Sequence, residues 1–495
     1  MYYLVPMPKA GKRKEKFMKL RKVSAVLMSM SMVGAMAVPT FADEAKISEP
    51  CEITFWHAMN GKQEESLTAL TDKFNEENEY GITVTLVNQG NYSDLSTKLT
   101  ANAAADTLPD LSQGYNNWVT AYTDKIIPLD DFVTDEDFDY DDLIDSYKDE
   151  CEVYGFVACV PFNKSTYVYF YNKTLFDEVG IDVPTTWDEL TEAGKKLKEA
   201  KDIEILGVDD LSGFLEASLH QNDCEYVSED GALFDNEAGL ETVSYIMNLY
   251  NSGYARLVGE DSYFSNVISN QMIGGYIGSC TGVSYITADG WELGVAPVPG
   301  NKEKAVNQAG TNIYMFSTDE NKQNAAWEYM KYLTSVDSTI QWSEETGYLP
   351  VRKSAYETDE FKKFMDEDKT NNYKSAYEQS PYFFAQPVFD GSYDVMNTVS
   401  TVLEDSILDE LEPEEVLENL DIIPTSIDLS AAEIELIGVD DKEYILRNAI
   451  DQVKDQYDFV IIDCPPSLSM LTINAMTTAD SVIVPIQCEY YALEG

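Results

Sequence analysis

The chain has 495 residues, room for two to four domains of ordinary size. Its 34 basic residues face 88 acidic ones, a net charge of −54, so its bulk repels phosphate backbones and nucleic acid is excluded as a partner. Hydrophobic residues make up 44%, too few for a polytopic membrane protein; two histidines, His57 and His220, leave little for histidine catalysis or zinc, while 32 tyrosines favour ligand surfaces with flat faces and polar edges.

Residues 1–42 hold eight basic residues and one acid, Glu15, ahead of the apolar run Val23–Val38 and the small-residue site Thr40-Phe41-Ala42. That order is a secretory signal, and a run of sixteen residues is short of the roughly 20 of a membrane anchor. The chain is therefore expected outside the cytoplasm. Seven cysteines are scattered. Cys151 and Cys159 flank a short loop, where a disulfide and a pair of buried thiols both stay open.

Downstream, Ile53–Trp56 reads as a strand, Lys62–Asn78 as a helix with Leu67, Leu70 and Phe74 at helical spacing, and Ile82–Val87 as a strand. Tyr92–Ala105 is helical, and Leu108–Leu111 leads into a third strand, the alternation of a parallel α/β sheet. The run Asp130–Asp145 is dense in acids. It lacks the glycine of a calcium loop and is expected as a solvated acidic loop. Tyr167–Tyr171 is an aromatic strand, and Thr186-Trp187-Asp188-Glu189 a capping box opening a helix to about Ala200. Further helices are expected at Glu237–Asn251 and Asn321–Thr334, with a strand at Ile313–Ser317. No G-x-S-x-G, H-E-x-x-H or G-x-x-x-x-G-K-[ST] occurs. No catalytic residue, metal ligand or cofactor is expected, and the chain reads as a binder, not an enzyme.

Several strings resemble one family in order over residues 51–417. They are Thr54–Gly61, Gly90-Asn91-Tyr92, Val160–Thr166, Tyr171-Asn172-Lys173, Pro184–Leu190 and Glu345–Val351. The family is that of the extracytoplasmic solute-binding proteins of ABC importers, of the type that takes sugars and glycerol phosphates. The resemblance implies a two-lobed, periplasmic-binding-protein-like α/β fold over residues 43–417, closing on a ligand in the cleft. Pro161–Thr166 and Gly310-Thr311-Asn312 look like the crossings between lobes. Carried over by motif, the ligand-binding residues are Tyr92, Ser165, Gly310 and Tyr348, with Ser279 a looser match and Trp56 and Asn116 their neighbours by position. The glycerol-phosphate binders have an Arg where this chain runs Gly391-Ser392-Tyr393-Asp394-Val395. A phosphate wants such a cation, so the expected ligand is a neutral carbohydrate and the expected partner an ABC permease. A glycerol phosphate or glycerophosphodiester is the alternative.

Residues 418–495 read as a different protein. Glu418–Thr425, Tyr457–Ser467 and Asp480–Gln487 resemble the middle of the ParA/Soj chromosome-partitioning ATPases. This implies a partial parallel α/β fragment of the P-loop NTPase kind. Phe459–Ile462 is its buried strand, and Asp463 stands where that family organises magnesium or water. The family's lysine-rich phosphate loop is absent, so no ATP hydrolysis is expected and the junction reads as a chimera.

Overall fold

The computed structural model describes residues 47–420, apart from 230, 260, 262 and 390, and residues 442–450 and 470–482. The expected signal at 1–42 and the strand Phe459–Ile462 with Asp463 lie outside the described residues.

β1 (Glu52–His57) buries alternate residues, and α1 (Gly61–Glu77) covers it with Leu67, Leu70 and Phe74, one helical face. β2 (Thr83–Asn88) and β3 (Leu111–Gly114) pair parallel on either side of β1, with α2 (Tyr92–Ala104) between them in sequence. The short helices α3 (Asn116–Val119) and α4 (Asp145–Cys151) follow. The sheet here is the parallel one expected.

The aromatic strand at Tyr167–Tyr171 is the far end of a much longer one, β4 (Cys159–Asn172). Pro161 hides it from a sequence reading, because proline cannot donate to a ladder. The chain accommodates it with a register shift between Pro161 and Asn163. The second lobe comprises α5 (Lys173–Val179), α6 (Trp187–Lys201), α7 (Leu211–Gln221), the small hairpin β5 (Val227–Ser228) and β6 (Gly231–Ala232), α8 (Glu237–Asn251), α9 (Phe264–Ser269), β7 (Gly275–Ser279) and β8 (Leu293–Ala296). The chain returns along β9 (Val306–Met315), antiparallel to β4 and, further on, to β3. Among the described residues eight strands share one mixed sheet with β2-β1-β3-β9-β4-β7 as its path. β4 and β9 lie side by side in its middle, and both lobes hang from them.

The first lobe is completed by α10 (Glu320–Leu333), α11 (Val336–Thr346), α12 (Asp359–Glu367), α13 (Asn372–Glu378) and β10 (Phe383–Phe384), which joins β9. α14 (Ser392–Leu408) and α15 (Pro413–Asn419) return to the second lobe, where Val399, Leu403, Val416, Leu417 and Leu420 pack with Leu215, Val243 and Ile246. That core reaches past Leu417 to the fully buried Leu420. α16 (Ile445–Ile450) and α17 (Met470–Thr478) pack together: Asn474 accepts from Leu446 N at 3.2 Å and donates to Lys442 O at 2.7 Å.

Two local expectations change in detail. Thr186 caps α6 by accepting from Glu189 N at 3.2 Å, but the Glu189 carboxylate binds Thr185 N at 2.8 Å instead of closing the box on Thr186. The acidic run is not simply solvated. Asp135 holds Lys331 at 2.7 Å, and Asp142 accepts from Ser354 N at 2.8 Å and faces the buried Arg352 at 3.4 Å. Among the described residues no cluster of His, Cys, Asp and Glu is arranged to hold a metal ion.

Gly310 sits at φ +95° on β9, where an added Cβ would lie 1.9 Å from Asn163 O on β4. Gly310→Ala is expected to lower stability by about 2 kcal/mol or more, read from the urea midpoint.

Asp209 lies half-buried before α7 and accepts from Phe264 N at 2.8 Å. Burial pushes its carboxyl up to about 6, against that hydrogen bond, with Asp210 adding to the rise. An acid whose folded value is raised binds more protons folded than unfolded. Stability therefore falls as pH rises from about 4 to about 6, and the whole cost, about 2–3 kcal/mol, is present above that window. Asp209→Asn should flatten this part of the stability–pH curve.

Candidate functional site

The carboxyl ends of β1 and β3 open onto the space between the lobes, the usual place for a ligand in an open α/β sheet. Asn91 caps α2 by accepting from Asp94 N at 2.9 Å, and Asp94 answers to Asn91 N at 3.4 Å, so Tyr92 enters the cleft from a fixed first turn. Its hydroxyl accepts from Asn163 Nδ2 at 3.0 Å and meets Tyr348 OH at 3.4 Å. Asn163 is fixed in turn: its Oδ1 accepts from Gln113 Nε2 at 3.1 Å and from Thr311 Oγ1. Gln113 Oε1 accepts from Ala58 N at 3.0 Å. One chain of hydrogen bonds thus runs from β1 through β3 and β4 to the two tyrosines.

Around Tyr92 the rings cluster. Tyr115 lies 5.6 Å and Trp118 5.9 Å from it, the two are 4.8 Å apart edge to face, and Tyr393 meets Trp118 at 6.2 Å. Burial pushes the hydroxyls of Tyr92, Tyr115 and Tyr348 up, so all three are neutral donors at any physiological pH. Trp118 Nε1 is buried without a partner among the described residues.

Below the rings lies a narrow cavity of about 20 Å³, lined by Tyr115, Asn117, Glu150, Gln308 and Gly310 among others and closed by Ala385, Gln386 and Val388. Asn117 Oδ1 and Gln308 Oε1 are buried acceptors without donors among the described residues. Under the cavity, Lys164 Nζ meets Glu150 Oε2 at 2.7 Å, and Glu150 also accepts from Gln308 Nε2 at 2.5 Å and Asn312 Nδ2 at 2.9 Å. Lys164 and Glu150 neutralise each other, so the floor is polar without net charge. From the second lobe, Tyr167 OH donates to Asp210 at 2.7 Å. Asn307 Nδ2 donates to Glu216 Oε2 at 2.9 Å. Burial raises the Glu216 carboxyl well above the usual range, with Asp210 adding to the rise against the Asn307 hydrogen bond.

Of the residues singled out from sequence, the structure brings Tyr92 and Tyr348 together and sets Asn116 and Gly310 on the cavity wall. The Asn116 amide is internally engaged, donating to Glu150 O at 2.6 Å and accepting from Tyr314 OH. Ser165 is buried on β4 opposite Ala309. Ser279 ends β7, where its hydroxyl accepts from Thr281 N and meets Thr281 Oγ1 at 2.9 Å. Trp56 is half-buried on β1, against the core that contains Trp118. Sequence reasoning missed Tyr115, Trp118, Asn163 and Gln308. The signal for the first two was available: aromatic residues directly after Gly114, at the carboxyl end of a parallel strand.

Residues 365–495 match the profile of an AAA domain family, although Tyr373, Ala376 and the buried face of α14 within that span pack in the two lobes. Over 79 residues the chain is 60% identical to the sporulation initiation inhibitor protein Soj of Bacillus subtilis, covering 16% of this chain and 31% of Soj. Over 77 residues it is 54% identical to the chromosome-partitioning ATPase Soj of Treponema pallidum, covering 16% and 30%. The chain spans about a third of the length of these curated relatives. These matches correct the expectation that the chain is no enzyme. Its C-terminal region matches a family of ATPases. The match also withdraws the exclusion of nucleic acid for that region, acidic though its sequence is.

Among solved structures the chain resembles the cyclic α-maltosyl-1,6-maltose binding protein of Arthrobacter globiformis, with TM-score 0.67 and 25% identity over 75% of this chain and 97% of that one. It also resembles UgpB from Mycobacterium tuberculosis, determined with glycerophosphocholine, with TM-score 0.66 and 23% identity over 75% and 96%. Residues 69–368 match the profile of the bacterial extracellular solute-binding proteins. The match takes in β4 and β9 together with the cleft walls they carry, and the chain accordingly belongs to that family.

Proposed function

We propose that the chain binds a neutral mono- or oligosaccharide between its lobes and delivers it to the membrane permease of an ABC importer. It does so outside the cytoplasm, after loss of residues 1–42, with a solute-binding domain that reaches about Leu420. The observation that carries this reading is the ring cluster of Tyr92, Tyr115 and Trp118 beside buried polar atoms of both kinds. Sugar rings present apolar faces to such aromatics, and a hydroxyl both donates and accepts, matching Asn117 Oδ1, Gln308 Oε1 and Trp118 Nε1. A cavity of about 20 Å³ has room for a single water, so a sugar enters only with the lobes apart.

Glycerophosphocholine is the second reading, favoured by the same rings, which suit a trimethylammonium group. Against it, the buried cations are already engaged: Lys164 by Glu150, and Arg352 by Phe138 O at 2.7 Å, Asp139 O at 3.0 Å and Asp142. Calorimetry and thermal shift against mono- to tetrasaccharides, glycerol 3-phosphate and glycerophosphocholine separate the two. Stabilisation by at least one sugar is expected, and a response to the phosphates alone overturns the carbohydrate reading. Tyr92→Ala and Tyr115→Ala should each weaken the responding ligand by about 1–3 kcal/mol.

The C-terminal region has a separate reading, ATP hydrolysis, supported by its identity to the partition ATPases. Phosphate release from ATP by the full chain, lost in Asp463→Ala, would support it; no release would overturn it.

A further inference from the structure

Cys151 ends α4 and Cys159 begins β4. The loop between them is closed by Ala158 N donating to Cys151 O at 2.9 Å, which sets the two cysteines side by side. Both are fully buried in the same core, with Trp118 and Tyr314, and their side chains are in hydrogen-bonding contact. The other described cysteines face different partners: Cys280 Sγ donates to Gly347 O, Cys224 lies against Asn236, and Cys51 is half-buried near the chain start.

We infer that Cys151 and Cys159 form a disulfide when the chain folds in an oxidising compartment. The co-reactant is a low-molecular-weight or protein disulfide. The thiolate of one cysteine attacks it, forming a mixed disulfide and releasing one thiol. The second cysteine then displaces the other thiol, so two protein thiols and one disulfide become one protein disulfide and two thiols. Burial raises the Cys151 thiol well above its ordinary value, so the folded pair is a poor nucleophile. The exchange therefore belongs to the folding chain, before the core closes, and the finished bond is shielded from reductants. Its mechanical effect follows from its neighbours. Glu150 precedes Cys151, and Lys164 lies further along β4, so the bond pins together the two elements that carry the buried ion pair.

The full chain, refolded with oxidised and reduced glutathione, is denatured, alkylated and digested with trypsin. The peptide Asp149–Lys164 holds both cysteines and no internal basic residue. It should carry no alkyl group and be two hydrogens lighter, gaining both groups only after reduction. Reduction should also lower Tm by several degrees, a drop missing in Cys159→Ser; the closed loop is short, so a larger drop is not expected. Alkylation of both thiols without reduction, or glutathione on either cysteine in place of the internal bond, would overturn the inference. The mass reading on the unaltered chain decides even if the variant fails to fold.

Discussion

Lys164 carries a full charge into the centre of the molecule, on the strand from which both lobes hang. Glu150 meets it at 2.7 Å, and Gln308 and Asn312 donate to the remaining carboxylate positions. Removing one partner of such a pair typically costs about 3–5 kcal/mol, because the other is left charged and dry. The pair therefore fixes where α4 docks on β4 and β9. Asn116, reached through Glu150 O, ties the start of α3 to the same point, and the aromatic wall follows from that placement.

On either side the molecule is ordinary apolar packing. The first lobe closes around Phe55, Phe162, Trp327 and Trp342, the second around Leu190, Leu215, Val243 and Leu403. The strands between them are unusual for sheet centres, since their inward side chains are polar: Asn163, Lys164, Thr166, Asn307, Gln308, Thr311 and Asn312 are all buried. Polar groups there cost stability unless each finds a partner, and most do. Among the described residues Asn307, Gln308 and Asn312 each keep one oxygen without a donor, and that of Gln308 lies at the cavity wall.

How much of this was legible in the sequence depends on the range of the forces involved. β1, α1, β2 and α2 follow from local periodicity, and the helices at 187–201, 237–251 and 320–333 fall within a residue or two of their reading. β4 was legible only at its aromatic end, because the bulge that admits Pro161 depends on the partner strand. The acids at 135 and 142 looked like loop residues because Lys331 and Arg352, which hold them, come about two hundred residues later. Tyr92 and Tyr348 came from resemblance, but nothing local says that their hydroxyls meet. Leu420, three residues past the boundary read at Leu417, packs in the second lobe's core, a contact between distant segments that no local pattern encodes.

The position of Trp118 has an optical consequence. Its indole sits within 5–6 Å of Tyr115 and Tyr92, inside the range for energy transfer, and its ring nitrogen has no partner among the described residues. Trp327 is sealed in the first lobe's core, and Trp187 is stacked on Tyr245 in the second lobe, so these two should be indifferent to what enters the cleft. Intrinsic fluorescence should therefore respond to occupancy through Trp118 and the half-buried Trp56 beside its core, so the molecule carries its own reporter where the two lobes meet.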